Sequence, residues 1–324
     1  DLLRKSTFLT LCEEALERIA KYCRRVTAIV GSPLLTNRGT VSAAAVLRNG
    51  RIVDTVEKSY VTARREMGFI ISGSGYKVVK VCGRNIAVMV GDDLSHLHEL
   101  DKEADFVVSI NSRRYGKGLL TYRYETMRRL TYTECRNIIM INQVGGSSDL
   151  VYDGTSGVMN KEGKVELMMK SFEEDFSIFD SSVPHTEVVV PYTTYNDRTR
   201  MIYKAACLGL RDFFHKSGYT KACVGLSGGI DSSVVACLAV GALGAENVRG
   251  LMMPSQFSSN ESVEDAKRLA ENLGIEYSVL PINEVYTAIM DTLKPVTGGT
   301  EFDATEENIQ SRIRTVLLMA LQNK

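Results

Sequence analysis

From residue 221 the chain reads Lys221-Ala222-Cys223-Val224-Gly225-Leu226-Ser227-Gly228-Gly229-Ile230-Asp231-Ser232-Ser233. A short apolar stretch runs into a glycine pair and then into a second apolar run. Val224 and Leu226 suit a buried strand, and Gly228-Gly229 permits a tight turn. Ser232 and Ser233 lie where helix N-caps are favoured, ahead of Val234-Val235-Ala236-Cys237-Leu238. Such a turn aims free backbone N–H groups and the positive end of a helix at one spot, where an anionic phosphate can sit. Glycine pairs also mark ordinary strand-to-helix turns, so the turn alone leaves both readings open.

Around it, strands and helices alternate. Helical spacing from Arg200 to about His215 precedes strands over 221–226, 248–253 and 276–280, separated by helices over 232–243, 261–273 and 283–293. This order predicts a parallel sheet with right-handed crossovers and a ligand site at the carboxyl ends of its strands, where 227–233 falls. The first half reads differently. A helix over 8–24 and a strand over 26–30 ending at Gly31 lead to a hairpin of 42–47 and 51–56 about Arg48-Asn49-Gly50. Further strands are expected over 77–81, 85–90, 106–110 and 138–141, with a helix over 119–135 and a second hairpin region over 150–169, turning at Asp153-Gly154 and at 161–164. The segment 171–198, acidic and then punctuated by Pro184 and Pro191, reads as a linker. Both ends fall inside apparent elements, which suggests that each flanking domain is incomplete.

The length of 324 residues suits about two domains. Lysine plus arginine and aspartate plus glutamate number 39 each, which excludes the global basic field of a nonspecific nucleic-acid binder. No apolar run approaches a membrane helix and the start has no signal-peptide pattern, so a cytoplasmic protein without a membrane partner is expected. Seven scattered cysteines without a Cys-x-x-Cys read as buried thiols, and four histidines offer no His-x-x-x-His metal pair.

The word Ser227-Gly228-Gly229-Ile230-Asp231-Ser232-Ser233 resembles the pyrophosphate-binding loop of the ATP pyrophosphatase superfamily, whose members activate a substrate as its adenylate. It lacks the lysine and spacing of a Walker A loop. The resemblance implies that Gly225, Leu226, Ser227, Gly228, Gly229, Ile230, Asp231, Ser232 and Ser233 bind ATP, and that Asp231 helps to hold Mg2+. Two later words narrow the family. Met253-Pro254-Ser255-Gln256-Phe257-Ser258-Ser259, with Asp265-Ala266 following, and Phe302-Asp303-Ala304-Thr305-Glu306-Glu307-Asn308-Ile309-Gln310-Ser311-Arg312-Ile313-Arg314 are similar to the corresponding words of NAD synthetases. Asn308 and Arg312, four apart on one helix, share a face and can address one ligand. By resemblance Pro254 and Ser255 join the ATP site, and Asn308, with Arg312 and Arg314, contacts deamido-NAD.

The first half resembles the nitrilase-like glutaminase domain of glutamine-dependent NAD synthetases, in Ala104-Asp105, Asn142-Gln143-Val144-Gly145-Gly146, Asp153-Gly154-Thr155-Ser156 and Phe172-Glu173-Glu174-Asp175. The resemblance implies an αββα sandwich over 1–175, a linker over 176–198 and a Rossmann-like ATP pyrophosphatase domain over 199–324, all α/β. It also implies a Glu-Lys-Cys triad, and here the chain departs. The family's elbow Ile-Cys-Glu-Asp-Leu is replaced by Val90-Gly91-Asp92-Asp93-Leu94, so Gly91 stands where the nucleophile belongs. Lys58 occupies the lysine position, but the word after it has become Val61-Thr62-Ala63-Arg64-Arg65, and the triad glutamate would precede Asp1. Cys82 precedes the strand rather than ending it, and is a poor substitute.

The expected activity is a C–N ligase reaction: ATP converts the carboxylate of deamido-NAD to an acyl adenylate, and ammonia displaces AMP to give NAD. Of the expected partners, deamido-NAD and ammonia or glutamine, an inactive glutaminase leaves free ammonia, or ammonia from another protein, as the nitrogen source. The expected assembly is a homo-oligomer, since nitrilase-like sheets commonly pair across subunits. The alternatives are another adenylating enzyme of the superfamily, such as a GMP synthetase or a tRNA thiolase, and a non-catalytic nitrilase-like scaffold. The absence of Cys-x-x-Cys and of a basic patch disfavours the thiolase.

Overall fold

In the computed structural model, residues 2–61, 68–97, 100–188, 195–298 and 303–323 are described. The chain divides into one unit of 1–145 with 150–199 and a second of 146–149 with 200–324.

The first unit opens with α1 (Ser6–Tyr22), followed by β1 (Ala28–Thr36), β2 (Gly39–Arg48) and β3 (Arg51–Glu57), an antiparallel three-stranded sheet in the order β1-β2-β3. The turn between β2 and β3 holds Asn49 and Gly50 at φ of 52° and 80°, the conformation the Asn-Gly hairpin signal requires. Then come β4 (Lys77–Val81), β5 (Arg84–Val90), β6 (Phe106–Asn111), α2 (Leu119–Glu134), β7 (Asn137–Asn142), β8 (Val144–Ser147), β9 (Leu150–Asp153), β10 (Gly157–Met159) and β11 (Val165–Met168). A six-stranded mixed sheet has the order β11-β10-β7-β6-β5-β4, parallel at β5-β6 and β6-β7, while β8 and β9 pair with each other.

β2 shows why two sheets stack here. Because successive side chains point to opposite faces, Ala44 and Val46 meet Val79, Val88 and Val90 of the large sheet, while Ala45 and Leu47 meet Leu16, Ala20 and Cys23 at the other face. Each fully buried Val or Leu of this kind contributes about 1.5–3 kcal/mol. With α1 on the small sheet and α2 against β7 and β10, the layers are α-β-β-α, as the resemblance implied.

The second unit contains α3 (Tyr195–Lys216), β12 (Ala222–Gly225), α4 (Ile230–Leu243), β13 (Val248–Met252), α5 (Asn260–Leu273), β14 (Glu276–Val279), α6 (Asn283–Thr297) and α7 (Ala304–Gln322). Its sheet is wholly parallel, in the order β12-β13-β14. Ala236, Ala239, Ala266 and Ala270 of α4 and α5 pack with Val224, Leu226, Val248 and Met252. A separate cluster joins Leu251 and Met253 to Ile282, Tyr286 and Ile313 beside α6 and α7, so the sheet is covered on both faces.

Several local expectations need correction. β1 does not stop at Gly31 but continues to Thr36, because β2 offers it a pairing partner throughout; a Cβ at Gly31 would lie 2.9 Å from Ile110 Cγ2, so glycine serves close packing there. The N-cap of α4 is Gly229, not Ser232 or Ser233, which lie in the first turn. Of the cysteines, all free, Cys23 and Cys207 are buried, whereas Cys82 and Cys135 are exposed. Within the expected linker, Ser171 is buried and hydrogen-bonded to Thr155, while 189–194, including Pro191, lie outside the described residues.

Candidate functional site

At the carboxyl end of the parallel sheet, β12 passes through Leu226 to Gly229 into α4. Gly228 adopts φ +82°, and a Cβ there would stand 2.2 Å from the carbonyl oxygen of Ser262. Only glycine lets the turn lie against the first turn of α5. That turn is fixed by its own cap, the Ser259 side chain accepting a hydrogen bond from Ser262 N at 3.1 Å.

The hydroxyls of the loop brace the loop. Ser232 Oγ accepts from Ser227 N at 3.2 Å and pairs with Ser227 Oγ at 3.0 Å. Ser227 Oγ accepts from Gly229 N at 3.2 Å, and Ser233 Oγ donates to Gly229 O at 2.9 Å. No side chain caps the start of α4, so the first-turn amides of Ile230, Asp231 and Ser232 have no protein acceptor among the described residues. Free amides at a helix N-terminus are able to take an anion. Asp231 is exposed on the same turn with no hydrogen-bond or ion-pair partner among the described residues. A carboxylate placed beside bound phosphates fits Mg2+, which is typically held by one or two carboxylates plus phosphate oxygens. No group of three or more His, Cys, Asp or Glu side chains that could hold a metal by itself occurs among the described residues.

Beside the turn lies a cavity of about 380 Å3 lined by Gly225, Leu226 and Ser227, by Met252 to Pro254, by Ser258, Ser262 and Val263, and by Ser311, Arg314, Thr315 and Leu318 of α7. The α7 residues fall at i, i+3, i+4 and i+7, one face of a helix. Asp303 caps that helix in a reciprocal box with Glu306, and Ile313 anchors it in the core.

Of the sequence-derived ATP residues, Gly225, Leu226, Ser227 and Pro254 line the cavity, and Gly228 to Ser233 form the adjoining turn. Ser255 does not: it is buried, its hydroxyl accepting from Phe257 N, and Ser258 faces the cavity instead. Asn308 and Arg312 are exposed and outside the cavity wall, whereas Arg314 is part of it, its Nε donating to Met253 O at 3.0 Å. Phe302 lies outside the described residues. Ser258, Ser262, Ser311, Thr315 and Leu318 were not singled out from the sequence. For the α7 members the helical spacing from Arg314 was the available signal.

In the first unit, Gly91 follows the end of β5 with φ +60° and opens a short 3-10 helix over Gly91–His96. The three atoms nearest to a Cβ there all belong to the Lys58 side chain, with Cε at 3.2 Å and Nζ at 3.4 Å. Lys58 is buried, with its ammonium 3.8 Å from Asp92 Oδ2. The elbow thus brings Lys58 to the position that Gly91 leaves without a side chain. Arg113, not anticipated from the sequence, closes in from the end of β6: its guanidinium pairs with Asp92 at 3.2 Å and donates to Ser95 Oγ at 2.9 Å and Gly91 O at 3.4 Å. Burial lowers the Arg113 pKa from its ordinary value, with Asp92 opposing that shift. Asp93 is also buried and accepts from the Ser59 and Tyr60 amides, at 2.9 and 2.7 Å, which fixes the segment carrying Lys58. Cys82 sits in the turn before β5, at the opposite end of that strand from Gly91. Residues 62–65 of the word after Lys58 lie outside the described residues.

Comparison with known proteins agrees with both units. The NAD synthase family profile matches residues 202–324. The chain is 33% identical over 365 residues to a glutamine-dependent NAD(+) synthetase of Aquifex aeolicus and 32% identical over 370 residues to one of Thermotoga maritima. In each case all of this chain is matched, and it spans 64% of the relative's length. The structure of the glutamine-dependent NAD+ synthetase from Acinetobacter baumannii in complex with ADP superimposes with a TM-score of 0.87 at 31% identity, covering 100% of this chain and 63% of that one. A glutamine-dependent NAD(+) synthetase from Cytophaga hutchinsonii shares the fold, with a TM-score of 0.83 at 18% identity. Over its whole length the chain is therefore similar to the glutamine-dependent NAD(+) synthetases, and its second unit matches the NAD synthase family.

Proposed function

We propose that the protein amidates deamido-NAD to NAD at the expense of ATP, using ammonia directly, and that its nitrilase-like domain no longer hydrolyses glutamine. The observation that carries the ligase reading is the cavity at the carboxyl end of the parallel sheet, bounded by Gly225, Leu226 and Ser227, next to a turn whose helix amides are free to take phosphate. The Acinetobacter baumannii relative was solved in complex with ADP, which supports an adenine nucleotide as a ligand of this chain.

A carboxylate is a poor acyl donor, so it is first converted to an acyl adenylate with loss of pyrophosphate, and ammonia then displaces AMP. The amides of Ile230 to Ser232 hold the leaving pyrophosphate, and the rigid hydroxyl bracing of Ser227, Ser232 and Ser233 keeps them aimed without reorganisation. Asp231 would hold Mg2+, which when bound neutralises charge on the phosphates. No protein nucleophile is required, so rate enhancement rests on positioning. Asn308, with Arg312, supports deamido-NAD binding from the exposed face of α7 that adjoins the cavity face.

Gly91 carries the second half of the reading. Glycine has no atom that can attack an amide carbon, and Arg113 is bonded to the carbonyl at that position. Protein given ATP, Mg2+ and deamido-NAD is expected to form NAD with ammonium and not with glutamine. No NAD with ammonium would overturn the ligase assignment, and efficient glutamine use by pure protein would overturn the loss of glutaminase activity.

A further inference from the structure

Arg314 stands apart from the other arginines of the second unit. Arg249 pairs with Glu276 at 3.1 Å and donates to Ser278 Oγ at 3.0 Å, and the exposed Arg268 pairs with Asp265. Arg314 is half-buried in the cavity wall and has no carboxylate partner among the described residues. Its one protein hydrogen bond there is from Nε to Met253 O, at the end of β13. Nη1 and Nη2 are left without a protein acceptor among the described residues. Burial alone pulls the pKa of this guanidinium down, with no nearby charge to offset it. A cation held partly out of water with nothing to compensate it is costly unless an anion arrives to pair with it.

The same wall holds Ser227 from the glycine turn and Ser258 and Ser262 beside the cap of α5, while Leu226, Met253 and Leu318 supply an apolar side. One cavity therefore has an apolar part suited to a purine ring and a polar part that ends on a guanidinium with no carboxylate partner among the described residues. We infer that Arg314 binds the phosphate chain of the nucleotide, not the dinucleotide substrate that its sequence motif suggested, with Nε fixing the head on Met253 O so that Nη1 and Nη2 meet phosphate oxygens. This rests on the proposed ATP site. The planar fork, already pinned at one nitrogen, loses little freedom when it accepts the anion.

Titration of the protein and its Arg314→Met variant with ATP, adenosine and deamido-NAD separates the possibilities. Loss of a charged hydrogen-bonding pair predicts that Arg314→Met weakens ATP binding by about 10- to 100-fold while adenosine and deamido-NAD bind as before. Arg314→Lys, which keeps the charge and not the fork, should recover part of the ATP loss, and serves if the methionine variant does not fold. Equal weakening of ATP and adenosine would mean that Arg314 only holds the end of β13. Weakening of deamido-NAD alone would return it to the dinucleotide site, and unchanged ATP binding would remove it from either; each result overturns the inference. Failure of the unsubstituted protein to bind ATP would instead bring down the ligase reading on which the inference stands.

Discussion

The two units each carry a strand that breaks into a helix at a glycine with positive φ, Gly91 at +60° and Gly228 at +82°, yet the two glycines are there for different reasons. At Gly228 an added Cβ would lie 2.2 Å from the backbone oxygen of Ser262, which cannot yield without moving α5. At Gly91 the same atom would meet a lysine tail at 3.2–3.5 Å, and a flexible tail can give way. Packing therefore demands glycine in the turn after β12 and opposes a side chain less at the elbow. The proposed loss of a nucleophile at the elbow is compatible with this space, whereas a position that excludes every side chain marks a turn held to its geometry.

Gly228→Ala should have the largest effect, destabilising the second unit by about 2–5 kcal/mol from overpacking plus the left-handed backbone and removing ammonium-dependent NAD formation. Denaturant titration and a turnover assay would detect both; a tolerated alanine would make the two turns alike. Asp231→Ala should cut turnover by roughly 100-fold or more with an unchanged melting temperature, because the carboxylate has no structural partner. Matching loss of stability would give Asp231 a structural role instead. Gly91→Ala should cost about 1 kcal/mol for its backbone and leave ammonium-dependent turnover within about twofold. A large loss of turnover there would show that the elbow still matters to the reaction.

The smallest expected effect concerns α7, which carries the cavity face. Hydrogen bonding from the Thr305 amide lowers the Asp303 pKa below the ordinary carboxylate value. A carboxylate depressed in the folded state adds stability above its unfolded pKa and loses it as pH falls through the folded one. Asp303→Ala should accordingly lower the melting temperature slightly at neutral pH, with the difference from the unsubstituted protein shrinking under acid. A difference that stays constant with pH would assign the stabilisation to something other than the charged cap.

Much of this was legible from local pattern. The Asn49-Gly50 hairpin, the parallel alternation after residue 200 and the glycine turn are each determined by neighbouring residues, so period and turn chemistry suffice. The misses involve partners distant in sequence. β1 continues past Gly31 because β2 pairs with it and Ile110 presses on it, and β8 forms by pairing with β9. Ser255 turned inward and Ser258 outward because the loop after β13 closes on itself through Ser258 Oγ and Ser255 N at 3.0 Å. Arg113 could not be read as part of the elbow, since 22 residues separate it from Gly91 and only the adjacency of β5 and β6 brings them together.

The amino-acid sequence by itself determined the βα turn at 226–230, the order of strands and helices around it, and the missing sulfur at Gly91, because each is a matter of residue type and short-range spacing. Only the tertiary structure decided that Gly228 is held against Ser262, that Arg314 and not Asn308 or Arg312 lines the cavity beside the glycine turn, and that Lys58 and Arg113 meet at the elbow. Those contacts depend on which strand ends lie side by side and which helix faces turn inward, and burial across the whole unit sets both.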